Sequence, residues 1–172
     1  MLWVGKPLAR ATEPQPERPA STQVAAMRAL VELLETAGEH LKRPAVIVRA
    51  RDAFGYDRDI RLNIAGQSAK VPGSINVCSA GGGYDERVWY GRVTRNGWFW
   101  RNLKVERLTL TAVAQALTAM ASDPAKAAEA YGHLTGLCCF CTTALRDPHS
   151  KQVGYDPVCA THFGLPWPPG LK

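Results

Sequence analysis

A chain of 172 residues, 46% hydrophobic with 12 prolines and 15 glycines, is long enough for one core of ordinary size and a small satellite module. No apolar run in the N-terminal MLWVGKPLAR exceeds four residues and no small-residue cleavage site follows one, which argues against a signal peptide or membrane span and predicts a cytoplasmic protein. The formal charge of +6 is unevenly placed: residues 42–107 hold thirteen Lys and Arg against six Asp and Glu, while the rest of the chain holds eight against nine.

Residues 1–20, rich in Pro, Glu and Arg and without periodicity, read as a flexible arm. Ser21 is placed to cap a helix whose apolar face is Val24, Met27, Leu30 or Val31, Leu34, Ala37 and Leu41, with Pro44 as its limit. Short runs of β character follow at 45–50, 60–64, 74–79, 87–94 and 97–103. The last two flank Asn96-Gly97, a strong two-residue hairpin signal because a type I′ turn needs positive φ at both central positions. That turn would pair Arg95 with Trp98, Val93 with Trp100, Arg92 with Arg101 and Trp89 with Lys104. The expectation is an antiparallel meander.

Leu110, Val113, Leu117 and Met120 mark a second amphipathic helix. Asp123 then caps a third, with Pro124 at its first position and a stop at Gly136. The fold class expected is α+β: an N-terminal helix, an antiparallel meander, two further helices and a C-terminal zinc-knuckle or ribbon-like module. The divisions expected are the arm at 1–20, an α+β domain over 21–135 and the module over 136–172.

That module holds four of the chain's five cysteines. Cys138 and Cys141 are two residues apart; seventeen residues follow; Cys159 and His162 are again two apart. This C-x2-C, x17, C-x2-H layout is that of a closed tetrahedral zinc site, since a two-residue gap lets one tight turn aim two donors at one ion and the spacer brings the second pair round. A redox C-x-x-C would need a strand-to-helix context and no second ligand pair. Cys139 reads as a non-ligand. His149, inside the loop, is the alternative fourth donor to His162. Four filled positions leave none for water, so one zinc would fold the module rather than catalyse, its binding free energy of roughly 10–16 kcal/mol replacing a core this segment cannot build alone. Phe140, Leu145, Val153, Tyr155, Val158, Phe163, Leu165 and Trp167 would pack around it.

The pieces Cys138 to Cys141, LRDPHS and VGYDPVCATHFGLPW, with HLKRP, a V-P-G-S-I-N-V segment and W-Y-G-R-V upstream, resemble a family of unknown function from bacteriophages and actinobacterial genomes with the pattern CxFC…GYGPVCA…GLPWG. The resemblance covers most of residues 37–167 and implies a phage or mobile-element setting without an established activity. Where that pattern has Gly-Arg after the second cysteine, this chain has Thr142 and Thr143; where it has GYGP, this chain has Asp156 in place of the second glycine.

The module carries only Arg146 and Lys151 between its ligand pairs, too few for a phosphate grip. The basic sheet is the better candidate, with Arg92, Arg95, Trp98, Trp100, Arg101 and Lys104 interleaving cations with aromatics as single-strand binders do. Strand propensity alone would also enrich aromatics there, and Arg at strand edges resists aggregation. Nothing points to catalysis: the glycines at 81–83 lack the GK[ST] ending of a phosphate loop, and Cys78 has no neighbouring histidine or motif. Two readings follow: a non-enzymatic nucleic-acid-binding accessory protein, or a module that engages a host protein with zinc holding only its shape.

Overall fold

The computed structural model describes residues 21–170. The expected arm at 1–20 and the side chain of Ser21, the expected first cap, lie outside the described residues. Helix α1 spans Ser21–Gly38, followed by strands β1 (Ala45–Arg51), β2 (Asp57–Ile64), β3 (Ile75–Ser79), β4 (Trp89–Val93) and β5 (Phe99–Arg101). Helices α2 (Arg107–Ser122), α3 (Pro124–Thr135), α4 (Pro148–Val153) and α5 (Pro157–His162) complete the order. The five strands form one antiparallel sheet in sequence order, the expected meander, and the fold class is α+β. Among the described residues no helix is long and apolar enough to cross a membrane.

The apolar periods land where they were read except at the ends of the first, where Val24 and Leu41 are half-buried and the helix stops at Gly38, short of Leu41 and Pro44. Met27, Leu30, Val31, Leu34 and Ala37 of α1 and Leu110, Val113, Leu117 and Met120 of α2 are buried, and the two helices pack on each other and on one face of the sheet. That face is built by alternation: Val46, Val48, Ile60, Leu62, Ile75, Val77 and Val93 are buried. Helix α2 starts at Glu106, whose carboxylate accepts from the Leu108 and Thr109 N–H groups and is held below its usual range by those bonds. Asp123 caps α3 through the Lys126 N–H, and Gly136 ends it in the left-handed conformation.

The β4–β5 hairpin corrects the expected register. Val93 pairs with Phe99, Arg92 with Trp100 and Gly91 with Arg101, one residue away from the two-residue turn's pairing. Thr94 N donates to Trp98 O and Gly97 N to Thr94 O, so the loop has three residues, within a four-residue turn whose last residue, Gly97 (φ 87°), is left-handed. A Cβ on Gly97 would collide with the carbonyl oxygen of Val24, so the hairpin is seated against α1, and Arg95 reinforces this through an ion pair with Glu35 at 2.9 Å. One residue of slip exchanges faces. Arg101 and Trp100, expected on different faces and in other company, change partners accordingly.

One continuous cluster of buried side chains runs from α1 through the sheet to Cys138, Cys139, Phe140 and Phe163. The cysteine segment also reaches the sheet through its backbone: Ile47 N donates to Cys139 O at 2.7 Å, covering the outer edge of β1.

Candidate metal centre and open sheet face

Two short turns build the cysteine cluster. After Gly136, an isolated bridge between Leu137 and Ala144 closes a small loop in which Cys138 N donates to Thr143 O and Thr142 N to Cys138 O. Thr142 takes φ 59°, the one left-handed non-glycine among the described residues, at the place where the resembling pattern has glycine. The second turn is a helix start. Asp156, the other departure, caps α5 by accepting from Val158 and Cys159 N–H, with Pro157 at the first position, which fixes Cys159 in the opening turn.

These turns bring the sulfurs of Cys138, Cys141 and Cys159 within 4.8 Å of one another, Cys138 and Cys159 buried and Cys141 exposed. Sulfurs around one tetrahedral ion with metal–sulfur bonds near 2.3 Å lie roughly 3.8 Å apart, so the three can hold a metal with small adjustments. Their electrostatics suit a cation. Cys138 and Cys159 share a hydrogen bond and titrate together: the bond from Cys159 holds the Cys138 thiol down to about 5 against the effect of burial, with backbone N–H groups helping. Cys159 is pushed far up by that same bond, by burial and by the neighbouring sulfurs. The first proton leaves readily and the next does not, because negative charge accumulates with nothing to balance it; a divalent ion supplies the balance.

Of the two histidines expected as fourth donor, neither belongs to the group within 4.8 Å. They differ in what surrounds them. His149 lies against Trp167, ring centroids 4.5 Å apart. His162, at the end of α5, stacks on His40 at 5.6 Å, and its Nδ1 is the one buried side-chain nitrogen or oxygen among the described residues without a hydrogen-bond partner. A buried unpaired imidazole nitrogen is costly unless something binds it. The three thiols are a donor set that suits a metal ion, and this unpaired imidazole nitrogen lies on α5 three residues after Cys159. Cys139 is fully buried, its thiol pushed up by burial, as suits a packing residue. Around the cluster Phe140, Leu145, Val153, Tyr155 and Phe163 are buried as expected, with Phe140 and Phe163 rings 4.3 Å apart, whereas Val158 points outward and is exposed. It follows Pro157 at the start of α5, its N–H bonded to the Asp156 cap.

The second candidate is the sheet face turned away from the helices. Alternation and register place Arg49, Arg61, Asn63, Asn76, Cys78, Arg92 and Trp100 on it. A bulge between Val77 and Cys78 lets β4 send Tyr90 into the core while Trp89 stays on the open face, where the Arg92 guanidinium sits 5.3 Å over its ring. Trp89 and Trp100 are 37% and 51% exposed. Arg49 is tied to Asp59 at 2.7 Å, but Arg61 and Arg92 have no carboxylate within 4.0 Å among the described residues. Cys78 is half-buried, its thiol raised by burial.

Of the six expected sheet residues, Arg92 and Trp100 come together here as a cross-strand pair. Arg101 projects from the other side of β5, Arg95 is engaged by Glu35, Trp98 is half-buried in the loop, and Lys104 lies in the turn beyond β5. Arg61, Asn63 and Asn76 were not singled out from sequence. The signal was present: polar residues at alternate positions in IRLNI and INVCS, between the buried Ile60, Leu62, Ile75 and Val77.

The model of a family of unknown function (DUF6011) matches residues 128–164, from within α3 through both turns of the cysteine cluster. No curated protein and no solved structure matches the chain.

Proposed function

We propose that this is a small, non-enzymatic accessory protein of phage or mobile-element type, with one structural zinc at Cys138, Cys141, Cys159 and His162, that binds nucleic acid on its open sheet face. The observation that carries the binding role is the pairing on that face of unneutralised guanidinium groups, Arg61 and Arg92, with the exposed rings of Trp89 and Trp100. Cations draw phosphates and flat rings stack bases. Zinc is favoured by the donor set, three thiolates and an imidazole with no position left for water. The phage setting rests on the sequence resemblance alone.

Anisotropy of a labelled single-stranded oligonucleotide, titrated at several salt concentrations, tests the binding role. Micromolar or tighter binding that weakens with salt is expected, and Arg92→Ala should reduce the slope of log K against log salt by about one counterion. Trp100→Ala should weaken binding with little change in slope. Absence of salt-sensitive binding to any DNA or RNA would remove the reading and leave a module that engages a host protein.

A further inference from the structure

We infer that the loop joining β1 to β2 is a second base-stacking element, with Phe54 and Tyr56 as its platform, so that the ligand is a single strand continuing past the end of the sheet; this rests on the nucleic-acid reading above.

The loop DAFGY repeats the architecture of the β4–β5 loop TRNGW. Asp52 N donates to Tyr56 O and Gly55 N to Asp52 O, both at 3.0 Å, matching Thr94 N to Trp98 O at 2.8 Å and Gly97 N to Thr94 O at 2.9 Å. In each, the first residue's side chain accepts from the N–H of the aromatic at the end, Asp52 from Tyr56 at 3.0 Å and Thr94 from Trp98 at 3.1 Å. The surroundings differ. Gly97 is pressed on α1 and Trp98 is half-buried, whereas a Cβ on Gly55 would meet nothing within 4 Å and the DAFGY loop projects freely.

Its two aromatic side chains therefore stand in water, Phe54 70% and Tyr56 68% exposed, on a backbone that is held in place. The Asp52 carboxylate, itself buried, also accepts from Phe54 N and from Arg58 Nε, each at 3.0 Å. A fixed loop that exposes two large rings has no folding use for them, since burial would be the favourable outcome. Recognition by aromatic faces is the use that remains, and its ordering cost has been met in advance.

Charge selects the partner. The acids around the loop are engaged: Asp52 by Arg58 and two N–H groups, Asp57 beside Arg51 at 3.6 Å, Asp59 by Arg49, and Glu106 by the start of α2. Arg87, Lys104 and Arg107, near this end of the sheet, have no carboxylate within 4.0 Å among the described residues. Asp85 and Glu86, just before Arg87, and the capped Glu106 balance these three, so the surplus positive charge available to a ligand on the loop is that of Arg61 and Arg92 on the adjoining open face. A ligand that meets both is flat-faced and anionic, and unpaired bases on a phosphate chain are both. The register sets Trp89, opposite Cys78, at the same end as the start of β2. Trp89 is level with Arg61, four residues into β2, so two strand spacings across and four residues along, roughly 16 Å in all, separate it from the loop's edge at Asp57, a span that a few nucleotides of single strand cross. A duplex hides its base faces and gains nothing from Phe54 or Tyr56.

The test compares labelled oligothymidylate with a duplex of equal length on the full chain, using Phe54→Ala with Tyr56→Ala, Arg92→Ala, and Phe54→Trp. The aromatic double variant, with unchanged circular dichroism and melting temperature, should lose roughly 10- to 100-fold in single-strand affinity, keep the salt slope, and keep its duplex affinity; Phe54→Trp should bind like the parent. Unchanged single-strand affinity in the double variant, while Arg92→Ala still weakens binding, overturns the loop's role and leaves the open-face reading standing. Loss of binding to an acidic peptide by the double variant, with oligothymidylate binding intact, overturns it in favour of a protein partner. If the parent binds no nucleic acid, both readings fall.

Discussion

Two single residues show how local chemistry is written over a shared pattern. Thr142 sits at φ 59°, where a β-branched side chain crowds the backbone at a cost of roughly 1–2 kcal/mol, and it is exposed, so no packing offsets the strain. Glycine gives back part of the gain through its freer unfolded chain. Thr142→Gly should therefore raise stability by up to about 1 kcal/mol in urea unfolding of the metal-loaded protein; a destabilised variant would mean that the threonine hydroxyl, which donates to Cys141 O, matters more than the backbone. Asp52 is legible in another way. Burial disfavours its charge, but the bonds from Tyr56, Arg58 and Phe54 prevail and hold its carboxyl below the usual range. The folded state thus takes up its proton less readily than the unfolded chain, so the stabilisation is complete above about pH 4 and drains away as pH falls below that. Glu106 and Asp147, held down by their helix caps, act with the same sign. Thermal melts between pH 7 and pH 3 should show the parent losing stability through this range, and Asp52→Asn, less stable at pH 7, losing less. Parallel curves for the two proteins would assign the acid sensitivity to the caps alone.

At the scale of elements, the helices were legible because their signals are local. Asp123-Pro124 and Gly136 bracket α3, and the apolar period of α2 needs no knowledge of what covers it. The hairpin was legible in place but not in register. Asn96-Gly97 supports either a two-residue turn or the three-residue loop found, since both use left-handed glycine. What selects between them is the seat of Gly97 on Val24 and of Arg95 on Glu35, contacts to a helix 60 or more positions earlier. The twin loops separate the two contributions. Gly55 and Gly97 have nearly equal φ, 84° and 87°, but only Gly97 touches another element. Alanine at Gly55 should cost about 1 kcal/mol, the backbone strain alone. Alanine at Gly97 should cost at least twice that, because the hairpin must also lift from α1. Equal losses in urea melts would show that the hairpin's seat contributes nothing to stability.

Across the whole molecule, the cysteine cluster was readable from spacing because two tight turns need only nearby residues, whereas its attachment to the sheet was not. Nothing near Cys139 in sequence announces that its carbonyl will accept from Ile47 or that its side chain will share the core of α1 and α2. That attachment changes what metal loss does. If the cluster were an independent appendage, chelation would loosen residues 136–170 and leave β1 as it was. Since the Cys138–Cys141 turn covers the edge of β1, losing the ion should release that edge as well, and amide hydrogen exchange in excess chelator should quicken at Ile47 together with Cys138 and Leu145, whose N–H groups bond within the turn. Amides of β2 and β3 that face each other inside the sheet should stay protected, because their partners do not depend on the cluster. Cys159→Ser should reproduce the pattern without chelator. Protection retained at Ile47 after metal analysis shows the ion gone would mean that the packing of Phe140 and Phe163 alone holds the cysteine turn on the sheet, and that the ion stabilises only the joining of the two turns.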